Sequence, residues 1–244
     1  MGGDKCASGV RRYLHDPPPR TDGRETTVRS VRGEPTNEGS TAAPDRSGRA
    51  GDREVSPVKW LLRRAFAEPR GVLGRIGGRV MARTNDDAVR RTLSLLDVRP
   101  TDRVLEVGFG PGVGIERASA AASEGFVAGV DASEAMVDQA RRRNAAAIAS
   151  GRVDLRLGSA LDLPFDDESF DAAFSVNSMQ VWPDAAAGLR EIRRVLKPGG
   201  RVAVAFTPRA GQPTDELVGL LSRAGFESVQ LEEGTAATCA LARK

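Results

Sequence analysis

A glycine-rich turn and an aspartate, each placed at the end of an apolar run, are the residues of this chain best suited to binding chemistry. The segment Gly108-Phe-Gly-Pro-Gly112 closes a predicted strand at 103–109, and Asp131 follows a second predicted strand at 126–130. Alternate glycines let the backbone turn sharply and approach a ligand closely, because they carry no Cβ. A carboxylate at the carboxyl end of the next strand can accept hydrogen bonds from both hydroxyls of a ribose. The pattern therefore predicts a site for a nucleoside-like ligand.

The spacing of the glycines decides which nucleoside-like ligand is expected. A dinucleotide site uses G-x-G-x-x-G, whose third glycine permits close packing of helix on strand. Counted from Gly108, that third position is Val113, and counted from Gly110 it is Ile115. Both registers fail, so a nicotinamide dehydrogenase is only a distant alternative. The pattern that remains is an acid, Glu106, two residues before three alternating glycines.

This pattern resembles the first motif of class I S-adenosylmethionine-dependent methyltransferases. The resemblance extends over residues 85–244 and includes the run Leu189–Arg201. It implies S-adenosylmethionine as the cofactor and in-line transfer of its methyl group to a small, possibly lipophilic, acceptor such as a secondary metabolite, a quinone-like ring or a lipid headgroup. It also implies an α/β fold with a doubly wound, mostly parallel, seven-stranded sheet of the Rossmann-like methyltransferase type, ending in an antiparallel hairpin. A non-catalytic S-adenosylmethionine-binding regulatory or accessory protein with the same fold is the alternative.

Carried over position by position, the resemblance implies a set of cofactor-binding residues: Glu106, Gly108, Gly110, Gly112, Asp131, Ala132, Met136, Ser159, Ala160 and Asn177. Several of these assignments leave an alternative open. Ala132 and Met136 either pack beside the adenine or belong to the ordinary core packing of their helix. The family often has Gly-Asp-Ala where this chain has Gly158-Ser-Ala160, so Ser159, the Ala160 backbone or Asp162 takes over the contact to the adenine amino group.

The acceptor side is predicted from position alone, because ligands in open α/β sheets lie outside the carboxyl ends of the strands. Ser178, Gln180 and Trp182 follow the predicted strand at 170–177 and are the substrate candidates, together with Asn177. In the alternative, Asn177 lends its backbone carbonyl to the cofactor and Trp182 belongs to the core. No catalytic base is identified: the single histidine, His15, belongs to the N-terminal segment predicted to be disordered, so the base is a carboxylate or water, or none is needed.

Alternating helices and strands are expected to position these residues. Hydrophobic patterning and the Pro, Gly and N-cap signals predict helices at 113–123, from Ser133 as N-cap, at 183–196 and at 215–224, and strands at 153–159, 201–206, 228–232 and 238–242. Lys197-Pro-Gly-Gly200 is expected to end the third of these helices.

The N-terminal part differs in composition from the rest. Residues 1–55 hold eight glycines and five prolines with few large apolar side chains, so they are predicted to be a disordered tail. Residues 56–84 are predicted to be a basic amphipathic lid, because 57–84 carry seven Lys or Arg against one acid, interleaved with apolar residues. Contact of 57–84 with an anionic membrane surface is the alternative. Residues 85–244 carry 19 basic and 23 acidic residues, so the chain's overall charge of +3 does not describe this domain.

The residue inventory argues against several other functions. The two cysteines, Cys6 and Cys239, are too few for a zinc site, so no metal is expected, and they give no disulfide framework. No recognisable nucleic-acid-binding module accompanies the basic segment, so no nucleic acid partner is expected. No apolar run reaches the length of a membrane span, and a cytoplasmic location is expected. The oligomeric state stays open.

Overall fold

A computed structural model describes residues 10–12, 85–210 and 215–244, and within these the chain forms one mixed sheet with helices on both faces. The strands are β1 (Val10–Arg12), β2 (Arg103–Val107), β3 (Phe126–Asp131), β4 (Val153–Leu157), β5 (Phe170–Val176), β6 (Leu196–Phe206), β7 (Glu227–Glu232) and β8 (Thr238–Arg243). The helices are α1 (85–96), α2 (Val113–Ala121), α3 (Glu134–Arg143), α4 (Ala145–Ala149), α5 (Ala185–Val195) and α6 (Asp215–Arg223), with 3₁₀ turns at Met179–Val181 and Pro208–Ala210.

The strand order is β1-β7-β8-β6-β5-β2-β3-β4. Strands β2 to β6 run parallel, while β8 is antiparallel to β6 and β7 is antiparallel to β8. Strands β2 to β8 therefore confirm the predicted doubly wound, seven-stranded sheet with a terminal hairpin, and β1 adds an eighth strand at the β7 edge. The crossover at β2, where the order reverses between β5 and β3, brings the carboxyl ends of these three strands together at one edge.

Each face of the sheet carries its own apolar layer, because the parallel strands are buried on both sides. One layer includes Leu189 and Ile192 of α5 and Leu221 of α6, and the other includes Leu93 of α1 and Ile115 of α2. Such a two-sided core fixes the strand register, since a slip by one residue would exchange the side chains of the two layers. The two layers therefore hold the carboxyl ends of the strands in one fixed register.

Two segments differ from the sequence-based expectation. Strand β6 begins at Leu196 and includes the Lys197-Pro-Gly-Gly200 segment, because Leu196 pairs with Phe170 and the Gly199 N–H donates to the Lys244 carbonyl at 3.0 Å. Helix α5 accordingly ends at Val195. Strand β1 lies within the segment predicted to be disordered, and it pairs antiparallel with β7 because that edge offers unpaired backbone groups. The rest of the predicted tail and the predicted lid at 56–84 lie outside the described residues.

Candidate active site

The glycine turn between β2 and α2 has the left-handed backbone that its spacing predicts. Gly108, Gly110 and Gly112 have φ of +76°, +53° and +83°. A Cβ at Gly108 would lie 1.7 Å from Ser178 Oγ, and a Cβ at Gly112 would lie 2.6 Å from Ala140 Cβ. Around Gly110, in contrast, a Cβ would meet no atom within 4 Å. The outer two glycines therefore allow neighbouring segments to pack closely, and the middle one is the point where a ligand can approach the backbone.

Asp131 closes the site from the end of β3. Its Oδ2 accepts from the Gly110 N–H at 2.8 Å and its Oδ1 accepts from the Ser133 N–H at 2.9 Å. Burial raises the pKa of Asp131, and these two backbone donors oppose that rise. A carboxylate has about four lone-pair positions, so acceptor capacity remains on both oxygens for the two hydroxyls of a ribose. Ser133 does stand at the N-cap of α3, but its side chain makes no capping hydrogen bond.

Glu106 is buried beneath the glycine turn. Burial and the nearby charge of Asp131 raise its pKa well above the ordinary value, although the Ile115 N–H donates to the carboxyl group. Among the described residues its Oε2 has no hydrogen-bond partner. The carboxyl group fits only because residue 114 is glycine, since a Cβ there would lie 2.1 Å from Glu106 Oε1. A buried acid with an unpartnered oxygen suits a ligand that carries an amino group.

Asn144, between α3 and α4, is a structural part of the site that sequence reasoning missed. Its buried Nδ2 donates to the Gly112 carbonyl at 3.1 Å and to the Ala140 carbonyl at 2.9 Å. These bonds tie the end of the glycine turn to α3, the helix that follows Asp131. An asparagine in a polar stretch carries no periodic signal, so only its tertiary position shows this role.

The residues predicted to surround the adenine occupy the same edge of the sheet. Ala132 is exposed, Met136 is buried but belongs to neither apolar layer, and Ala160 packs partly buried against the layer of α5 and α6. Ser159 is exposed, and its Oγ accepts from the Leu161 N–H at 3.1 Å. Asp162 is exposed as well. Their contacts with the cofactor stay predictions.

The acceptor-side candidates lie in and around the 3₁₀ turn that follows β5. Ser178 is buried against the glycine turn, and its Oγ accepts from Trp182 Nε1 at 2.9 Å. Trp182 is buried in the apolar layer of α5 and α6. The Asn177 carbonyl accepts from Gln180 Nε2 at 2.7 Å. Their roles toward a substrate stay predictions. Ser178 and Trp182 are buried, whereas Gln180 is only partly buried.

The described residues hold no group of three or more His, Cys, Asp or Glu that could bind a metal ion. Within the same part of the chain, none of the helices combines the length and the hydropathy of a membrane span. The buried Cys239 in β8 accepts or donates a hydrogen bond with Thr92 at 3.7 Å, and burial raises its pKa.

Comparison with known proteins identifies the family of the chain. Residues 104–200 match the family described as methyltransferase domain. Over 181 residues, 69% of this chain, the sequence is 31% identical to 98% of the uncharacterized methyltransferase YdaC of Bacillus subtilis (strain 168). It is also 43% identical over 104 residues, 42% of this chain, to the demethylmenaquinone methyltransferase of Symbiobacterium thermophilum, of which it covers 41%.

A solved structure shares the fold as well. The structure of the [4+2]-cyclase SpnF superimposes with a TM-score of 0.52 and 28% sequence identity, over 59% of this chain and 58% of that one. The open glycine turn, the two carboxyl groups and the similarity over nearly the whole of YdaC lead to one conclusion. The chain belongs to the class I S-adenosylmethionine-dependent methyltransferases, with S-adenosylmethionine as its cofactor.

Proposed function

We propose that this enzyme methylates a small lipophilic acceptor, with a hydroquinone-like aromatic ring as the favoured class. The observation that carries the acceptor class is the 43% identity to a demethylmenaquinone methyltransferase. The chain matches less than half of that relative's length, so we propose only the chemical class of the acceptor and not the relative's own substrate. The carboxyl edge supports the class, because Val181 is 41% exposed and Leu157 is 54% exposed there.

The residues of the site would hold the two ends of the cofactor. Asp131 would accept hydrogen bonds from the ribose hydroxyls, and Glu106 would face the amino group of the cofactor. Gly110 would let the cofactor approach the backbone closely. The bound cofactor supplies a methyl group on a positively charged sulfur, which is a good leaving group for in-line displacement. The protein then contributes mainly alignment and the exclusion of water, since proximity and orientation alone can supply about 7–11 kcal/mol.

A hydroquinone-like acceptor also fits the absence of a histidine base from the described residues. Electron-rich ring carbons and phenolic oxygens are nucleophiles in their own right, so the proton they lose can pass to water. Of the two acids in the site, Asp131 is bound by backbone N–H groups and Glu106 lies beneath the turn. Neither is required as the base in this proposal.

The test uses the purified full-length chain with S-adenosylmethionine carrying an isotopically labelled methyl group. Acceptors are offered without oxygen as a panel of naphthohydroquinones, simple phenols and phospholipid headgroup analogues. We expect label to enter the hydroquinones first, and Asp131→Asn to suppress the transfer. Cofactor binding without label transfer to any acceptor would favour the non-catalytic alternative, and transfer to headgroup analogues alone would contradict the proposed acceptor class.

A further inference from the structure

Gln180 has a side-chain oxygen that is buried without a hydrogen-bond donor among the described residues. Its Nε2 donates to the Asn177 carbonyl at 2.7 Å, which fixes the orientation of the amide. A flipped amide would place two carbonyl oxygens against each other, so Oε1 must be the atom that lacks a partner. Buried polar atoms of this kind are uncommon in folded proteins and call for a partner that binds.

Asn177, whose carbonyl accepts from the Gln180 amide, is itself held by hydrogen bonds to two other elements. Its own backbone is left-handed, with φ of +52°, at the end of β5. Its Oδ1 accepts from the Thr207 N–H at 2.9 Å, after β6, and its Nδ2 donates to Asn85 Oδ1 at 3.0 Å, at the start of α1. These bonds to the residue after β6 and to the start of α1 fix the direction of the Asn177 carbonyl. The carbonyl in turn fixes the orientation of the Gln180 amide that donates to it.

Gln180 lies in the chain between a residue that contacts the glycine turn and an exposed apolar residue. Ser178, two residues earlier, contacts the glycine turn so closely that Gly108 cannot carry a Cβ. Val181, the next residue, carries an apolar side chain that is 41% exposed. Gln180 itself is partly buried, and along the chain it lies between Ser178, which contacts the glycine turn, and the exposed Val181.

We propose that Gln180 is a specificity-determining residue whose Oε1 accepts a hydrogen bond from a hydroxyl of the methyl acceptor. This inference rests on the proposed function, because it deepens the acceptor class to rings that carry an O–H donor. The bond orients the ring toward the methyl group of the cofactor. An analogue without the donor leaves the oxygen unpaired and binds more weakly, on the order of ten- to a hundredfold.

The test compares two probes, 1,4-dihydroxynaphthalene and 1,4-dimethoxynaphthalene, by calorimetric titration without oxygen into the full-length protein saturated with S-adenosylhomocysteine. Gln180→Met removes the amide at similar volume, and Gln230→Met on β7 is the matched control. We expect the wild type and the control to prefer the diol by about tenfold or more. Gln180→Met should lose this preference and keep its affinity for S-adenosylmethionine within roughly twofold.

Gln180→Glu serves as the conservative variant, and as the second test if Gln180→Met does not fold. Below the pKa of the new carboxyl group it presents the same donor and acceptor, so the preference for the diol should return there. An unchanged preference in Gln180→Met, or a loss of cofactor affinity in its place, would overturn the role of Gln180 and leave the proposed function standing. A wild type that binds neither probe would overturn both.

Discussion

Replacing Gly108 by alanine tests how closely the acceptor-side segment packs on the glycine turn. The new Cβ would lie 1.7 Å from Ser178 Oγ and 2.4 Å from Ser178 Cβ, in a residue with φ of +76°. A left-handed L-residue costs about 1–2 kcal/mol by itself. Displacement of Ser178 would also break its hydrogen bond from Trp182 Nε1, and a buried unpaired donor costs about 1–3 kcal/mol. The free energy of unfolding should therefore fall by about 2–5 kcal/mol.

The same substitution in a Ser178→Gly background separates the two costs. Both colliding atoms are then absent, and the nearest remaining atom, the Cα of residue 178, lies at an ordinary distance of 3.8 Å. The hydrogen bond to Trp182 is already lost there, so Gly108→Ala should cost only the backbone share of about 1–2 kcal/mol. The double-mutant cycle should thus give a coupling free energy of about 1–3 kcal/mol.

Urea unfolding of the wild type, both single variants and the double variant measures this coupling. Additive changes, within about 0.5 kcal/mol, would show that the two segments do not press on each other. That result would refute the account in which the glycine turn and the segment after β5 pack directly on each other.

Two further predictions concern the buried polar residues of the site. Asn144→Ala should lower the free energy of unfolding by about 2 kcal/mol, because two hydrogen bonds to the carbonyls of Gly112 and Ala140 are lost. Asn144→Asp should lower it further, because a carboxylate would face these two carbonyls. Chemical denaturation measures both variants, and an Asp variant as stable as the Ala variant would contradict this. Glu106→Gln should stabilise the ligand-free protein relative to wild type, increasingly as pH rises from the ordinary carboxyl pKa toward neutrality. Burial raises the pKa of Glu106 in the folded state, so its contribution to the free energy of unfolding is complete at low pH and is lost as pH rises through that raised pKa. A stability difference from wild type that stays constant or shrinks with rising pH would contradict this.

The parts of the fold that follow from local chemistry could be predicted from the sequence. Alternate glycines after an apolar run permit a sharp turn. Asp131 after the next run reaches the same edge of the sheet, because parallel strands end there. Both predictions hold in the structure, where the two features meet through a hydrogen bond of 2.8 Å.

The parts that depend on tertiary partners could not be predicted. Lys197-Pro-Gly-Gly200 has the composition of a helix stop, yet it extends β6 because the chain end at Lys244 pairs with it. Asn144 and Gly114 are important only through what packs against them, a carbonyl of the turn in one case and the buried Glu106 in the other. Trp182 lies at the predicted position, and its burial depends on close packing against Gly188 of α5.

Calorimetric titration of S-adenosylmethionine into the full-length chain tests the central claim most directly, with Asp131→Asn as the variant and Asp138→Asn, an exposed acid on α3, as the matched control. In Asp131→Asn one of the two backbone N–H groups faces an amide donor and the ribose loses a charged acceptor, so affinity should fall on the order of a hundredfold or more. We expect saturable binding by the wild type and the control, and none of NADH. Equal affinity in Asp131→Asn, or binding of NADH in place of S-adenosylmethionine, would contradict the account.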